Sequence, residues 1–184
     1  MLAPGLRVVF CGTAAGEVAA RVGAPYAGPG NRFWWVLHEV GLTPRELAPL
    51  EFRELPRWGI GLTDVAKHAV GGDSILKAAD FDAPAVIEKV RRFAPGVLAF
   101  VGKRAAREVL GRNPGGYGEQ DVTIDGIPVW VLPSTSGAAR GFWDVMPWRR
   151  LAAALRGPDS GAQARTSASW VRQVHPKRGS SPRG

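Results

Sequence analysis

Cys11 is the only cysteine in this chain of 184 residues. No intramolecular disulfide can form, and no zinc site or iron–sulfur cluster held by several thiolates can be built. Histidine is scarce too. His38, His68 and His175 are scattered without the spacing of a metal-ligand set, and no metal is expected. Apolar runs are short, and none approaches the length of a membrane span. The opening MLAPGLRVVF lacks the long apolar core of a signal peptide and reads as the lead into a strand. A cytoplasmic, reducing compartment is the expectation. A phosphate-binding Gly-rich loop with Lys is missing, as is a Gly-x-Ser-x-Gly elbow, which weighs against the hydrolases built on either.

What the chain has in excess is positive charge. The formal net charge is +8 and the pI is near 10.5, which favours an anionic partner such as nucleic acid. The plain alternative is a soluble protein that happens to be basic. The length suits one domain with a sizeable core and a tail. The boundary falls near residue 156. From 157 to 184 the chain reads GPDSGAQARTSASWVRQVHPKRGSSPRG, rich in Gly, Ser, Pro and Arg and without periodicity. That composition predicts a disordered basic tail, either adding nonspecific phosphate affinity or simply an extension.

Four apolar runs bounded by turn residues predict buried strands: Arg7–Cys11, Trp58–Leu62, Val97–Val101 and Pro128–Leu132. Their lack of polar alternation suits a parallel sheet covered on both faces. Helical patterns fall at Asn31–Val40, Thr43–Glu54, Pro84–Phe93, Arg104–Leu110 and Phe142–Leu155. A hairpin is predicted between Val122–Asp125 and Val129–Leu132, with Asp125-Gly126 as its turn. Strands alternating with helices predict a doubly wound α/β sandwich.

In such sheets ligands bind beyond the carboxyl ends of the strands, so four segments matter. The first is Gly12-Thr13-Ala14-Ala15-Gly16, a loop of small residues that lets a ligand approach the backbone, or simply a tight turn. Pro25, Gly28, Pro29 and Gly30 then fix a rigid segment around Tyr26, which either stacks on a flat ligand or packs under its own loop. Asn31 is expected to cap the following helix. The next segment is Thr63-Asp64-Val65-Ala66-Lys67-His68. A carboxylate after a buried strand is costly unless it caps, pairs or works. Asp64 is therefore either a helix cap or a water-activating carboxylate. His68 would share its face if a helix starts there. Lys103 and Arg104 follow the third strand and add charge to the same rim. After the last strand, Ser134, Thr135 and Ser136 offer hydroxyls to phosphates or form an ST-turn. Gly137, Ala138 and Ala139 make a small tip, and Arg140 adds a cation.

Taken together, CGTAAG after the first strand, APYAGPGNRFW, GLTDV and VWVLPSTSGAAR resemble the mismatch-specific uracil-DNA glycosylases. That branch is related to thymine-DNA glycosylase within the uracil-DNA glycosylase superfamily. The resemblance runs from about Val8 to Leu155. It implies a three-layer α/β sandwich with a central, mainly parallel sheet of four or five strands. It also implies base-excision repair: a deaminated base is flipped from double-stranded DNA and its N-glycosidic bond is hydrolysed, leaving an abasic site, without a cofactor. On this resemblance Thr13, Ala14, Tyr26, Asn31 and Ser134 line the substrate pocket. Lys103 and the loop Ser136, Gly137, Ala138, Ala139 and Arg140 meet the DNA.

The chain departs from the family at an informative place. Many members carry, where Ala14 stands, an Asn that orients the attacking water. Many also have Asn-Pro-Ser-Gly where this chain has Ser134-Thr135-Ser136-Gly137. Glycosidic cleavage passes through an oxocarbenium-like state that a carboxylate can stabilise. Asp64 is the expected catalytic carboxylate, with His68 as an auxiliary. A branch of the family shares this arrangement of GTA with an Asp in GLTDV. The small residues Ala14, Ala15 and Ala19 suggest a roomy pocket and loose base selection, purine deamination products included. Two other readings stand beside this one: a catalytically impaired DNA-damage-binding protein of the same fold, and an α/β hydrolase of nucleosides or nucleotides. A monomer is the default expectation.

Overall fold

The four apolar runs form strands, and a fifth joins them at one edge. In the computed structural model, which describes residues 1–71 and 75–157 (Arg140 and Phe142 by backbone alone), the strands are β1 (Val8–Gly12), β2 (Ile60–Asp64), β3 (Leu98–Val101), β4 (Gly118–Ile124) and β5 (Ile127–Leu132). Their order is β2-β1-β3-β5-β4. β1 pairs in parallel with β2 and β3, β3 pairs in parallel with β5, and only β4 runs antiparallel. The predicted tail beyond Gly157 lies outside the described residues.

Every residue of β1 and of β3 is buried, and the reason is the layering. Successive side chains of a strand point to opposite faces. Val8 and Phe10 enter one core with Phe33, Leu37, Leu55 and Trp148. Val9 and Cys11 enter the other with Val86, Val90, Phe100, Ala105 and Val109. Helices α2 (Phe33–Glu39) and α5 (Met146–Arg156) close the first face, and α3 (Ala83–Phe93) and α4 (Lys103–Leu110) close the second. The short α1 (Glu17–Val22) follows β1. This is the three-layer sandwich that the alternation of strands and helices predicts.

β4 was only half legible, because Glu119, Gln120 and Asp121 are poor strand formers. It is an edge strand with alternating exposure, so one face tolerates polar residues. Its hairpin to β5 turns at Asp125 and Gly126, both at positive φ (51° and 80°), as a two-residue turn of the I′ kind demands.

One predicted helix fails. The stretch Thr43–Glu54 does not form an α-helix; a 3₁₀ helix runs instead over Pro49–Trp58. Pro44, Pro49 and Pro56 lack the N–H that an α-helical ladder needs. The helix predicted from Phe142 starts only at Met146. Gly137–Phe142 is a kinked 3₁₀ turn, and the Met146 N–H donates to Asp144 Oδ1 at 2.8 Å, which sets the start.

Candidate active site

The parallel register of β1 with β2 sets Gly12 beside Asp64 at the carboxyl end of the sheet. Gly12 has to be glycine there. A Cβ on it would stand 2.5 Å from Asp64 Oδ1 and 3.1 Å from the Tyr26 hydroxyl oxygen. Both oxygens therefore converge over the Gly12 backbone, and a methyl group would displace one of them.

The first loop is stitched to the segment after β2. Val65 N–H donates to Gly12 O at 3.0 Å, Ala66 N–H to Thr13 O at 2.7 Å and Gly71 N–H to Ala15 O at 2.9 Å. This extended pairing has a consequence for the sequence reading. No helix starts at Asp64, so Asp64 is not a helix cap, and His68 does not share a helical face with it. His68 sits exposed on a turn. The charges that act on Asp64 are instead the chain's amino group, Lys67 and Lys89. Lys89 comes from α3 and reaches Thr63 Oγ1 at 3.5 Å, a placement no local sequence signal announces. Met1 lies along β2, where its amino group donates to Leu62 O at 2.6 Å.

Asp64 retains some accessible surface at the mouth of the site, yet protein surrounds most of its carboxyl. Burial raises its pKa above the ordinary 3.8, and the nearby amino group, Lys67 and Lys89 oppose that rise without cancelling it. The sign follows for stability. Above pH 3.8 the folded protein holds the Asp64 proton longer than the unfolded chain does, so stability falls as pH rises through the folded pKa. Ionised Asp64 thus costs stability at neutral pH. Asp64→Asn is expected to raise the thermal midpoint at pH 7, with the gain vanishing below the ordinary carboxyl pKa. Melting curves across pH 3–8 check this, and an Asn variant less stable than wild type at pH 7 would contradict it.

Tyr26 is held from three sides. Its backbone takes the left-handed conformation, φ 56°, uncommon for a non-glycine residue. Its ring stacks on Phe33 with centroids 3.8 Å apart and planes 13° apart. Trp34 Nε1 donates to Pro25 O at 3.1 Å and pins the preceding residue. Asn31 is not the cap expected of it: Arg32 stands at the N-cap of α2, and Asn31 Oδ1 accepts from Phe33 N–H at 3.0 Å in the turn just before it. A cavity of about 410 Å³ adjoins this segment, lined by Tyr26, Ala27, Gly28, Asn31, Trp34 and Glu46 to Pro49. Asp64 does not line it.

The last loop docks on the same segment. Arg32 N–H donates to Thr135 O at 2.9 Å, and a Cβ on Gly137 would stand 2.6 Å from Pro29 O. Ser136 N–H donates to Ser134 Oγ and Ala138 N–H to Ser136 Oγ, both at 3.3 Å, so the hydroxyls shape ST-turns. Ser136 and Ala138 are exposed at the tip. Gly102 approaches Ser134, which brings the end of β3 to this loop. Lys103 is exposed, with its ammonium 4.7 Å from the centre of the Tyr117 ring. Arg104 is not a free rim cation, since it pairs with Glu108 at 2.7 Å and lies over Phe81.

The described residues hold no cluster of three or more His, Cys, Asp or Glu suited to a metal. Cys11 is buried, and burial followed by the Asp64 charge pushes its thiol well above the usual range, so it stays protonated. No helix among the described residues is long and apolar enough to cross a membrane.

A family model described as "Uracil DNA glycosylase superfamily" matches residues 1–170. The chain belongs to the uracil-DNA glycosylase superfamily. The superfamily match spans both sides of the site, from the first loop to the last, and it makes the chain a DNA glycosylase in general terms that acts on DNA. A solution NMR structure from Methanosarcina acetivorans, described as a "putative Uracil DNA glycosylase", shares the fold at a TM-score of 0.56. It is 21% identical, and the match covers 84% of this chain and 94% of that one.

Proposed function

We propose that this protein is a monofunctional DNA glycosylase of the mismatch-specific branch. It flips uracil, above all from G·U mismatches, and other deaminated bases out of duplex DNA. It then hydrolyses the N-glycosidic bond and leaves an abasic site. The observation that carries this reading is the Asp64 carboxylate, held at the sheet's carboxyl end over Gly12 beside Tyr26. As the base departs with the bonding electrons, positive charge grows on the sugar. Asp64 stabilises it and takes a proton from the attacking water. The Asn that usually orients that water is replaced by Ala14, and Asp64 assumes its work.

The other expected site residues, His68 apart, have roles in this reading. The flipped base stacks on the Tyr26 face that Phe33 leaves uncovered, and backbone N–H groups near Thr13 and Tyr26 hold its carbonyl oxygens. Asn31 and Ser134 border the pocket. The tip Ser136 to Arg140 enters the duplex, and Lys103 meets a phosphate. The adjoining cavity leaves room for bases larger than uracil. Half of the formal charge of +8 is carried past Gly157, where it adds attraction to phosphates independent of sequence. The enzyme works as a cytoplasmic monomer without a cofactor.

The test is alkali-revealed strand cleavage of labelled duplexes. They carry uracil opposite guanine, uracil opposite adenine, hypoxanthine or xanthine. Cleavage at uracil opposite guanine and at one or more purine lesions is expected. Tight lesion binding without any cleavage would turn the protein into a damage binder that lost its chemistry with the Asn. Cleavage of free nucleosides but not of DNA would make it a nucleoside hydrolase.

A further inference from the structure

The Tyr26 hydroxyl is buried and has no hydrogen-bond partner among the described residues. Buried hydroxyls nearly always have one, so a buried orphan points to a partner that arrives with water or ligand. Its position is specific. The hydroxyl oxygen lies 3.1 Å from the point where a Gly12 Cβ would stand, and Asp64 Oδ1 lies 2.5 Å from that same point. The placement is also enforced, by the stack on Phe33 and by a backbone at φ 56°. Burial, then the charge of Asp64, hold the phenol well above its usual range, so the group keeps its proton and acts as a donor.

We propose that the Tyr26 hydroxyl is the second anchor of the water that Asp64 activates, a positioning role separate from stacking on the base. This rests on the glycosylase reading above. The hydroxyl donates to the water oxygen, and Asp64 accepts one water proton. The second lone pair then faces the anomeric carbon. A bond forms between that oxygen and the anomeric carbon while the carbon–nitrogen bond breaks. The electron pair leaves on the base, and the proton passes to Asp64. A carboxylate alone fixes a water in one direction only.

Tyr26→Phe separates the two roles, because the ring and its stack remain. The measurement is single-turnover excision of uracil opposite guanine by the full chain. It is paired with binding to a duplex carrying a non-hydrolysable 2′-fluorinated deoxyuridine. The expected result is a rate reduced on the order of 100-fold, the scale of a misplaced reacting group. Affinity should change less than about threefold, the scale of a contact made equally in ground and transition states. The melting temperature should not fall, since an orphan hydroxyl has been removed. In Tyr26→Phe/Asp64→Asn the rate should match that of Asp64→Asn alone, because both groups act on one water. An active wild type with an unimpaired Tyr26→Phe, or a loss wholly in affinity, overturns the proposal and leaves the glycosylase reading intact. A wild type that excises no base overturns both.

Discussion

Asp64→Asn is expected to lower single-turnover excision by about 10³-fold, some 4 kcal/mol of transition-state stabilisation. The substitution keeps the size and planarity of the side chain. In the proposed mechanism it removes the negative charge that faces the sugar cation, and it removes the base that accepts the water proton. Affinity for a lesion duplex should hold or tighten, because a buried anion near the DNA phosphates is gone. The loss therefore belongs to kcat rather than to binding. Its burial gives the carboxylate a second signature. Burial raises the pKa of Asp64, so the acid limb of the rate profile should lie above the ordinary carboxyl value of 3.8, and excision should rise with pH through it. That limb should vanish in the Asn variant. Retention of wild-type rate by Asp64→Asn would remove the carboxylate from the mechanism.

Gly12→Ala is the second large effect. The new methyl would meet Asp64 Oδ1 at 2.5 Å and the Tyr26 oxygen at 3.1 Å. Carbon and oxygen in real structures stay well beyond the first distance, so something has to move. The backbone at Gly12 cannot yield easily, since β1 is paired on both sides and Gly12 O accepts from Val65 N–H. The Asp64 side chain is the part that gives way. A stability loss of about 1–3 kcal/mol is expected from the overpacking. Excision should fall on the order of 100-fold from displacement of the carboxylate. Thermal melts with single-turnover rates read both. A variant as active as wild type would mean that Asp64 need not stand over Gly12 during the reaction.

The strands and most helices were legible because burial on both faces leaves uninterrupted apolar runs such as Val8 to Cys11. The Asp125-Gly126 turn was legible because positive φ at both positions restricts the choice of residue. Two readings failed, one to a distant partner and one to local proline chemistry. The stretch after Asp64 reads as a helix start, yet Val65 and Ala66 bond to Gly12 and Thr13, more than fifty residues away in the chain. The stretch from Thr43 carries a helical pattern, but its prolines remove the donors an α-helix requires.

The sequence by itself determined the layered α/β architecture, the loops that follow the strands, and the absence of an amide at Ala14. These are local properties, carried by apolar periodicity, turn residues and side-chain type. Only the tertiary structure decided that Gly12 and Asp64 stand side by side, because strand register is a property of a pair of segments and not of either one. The same holds for the Tyr26 hydroxyl, which the stack on Phe33 fixes beside Asp64, and for Lys89, brought from α3 to the end of β2. A carboxylate can be seen in a sequence. The burial that raises its pKa, and the cations that temper that rise, come only from packing.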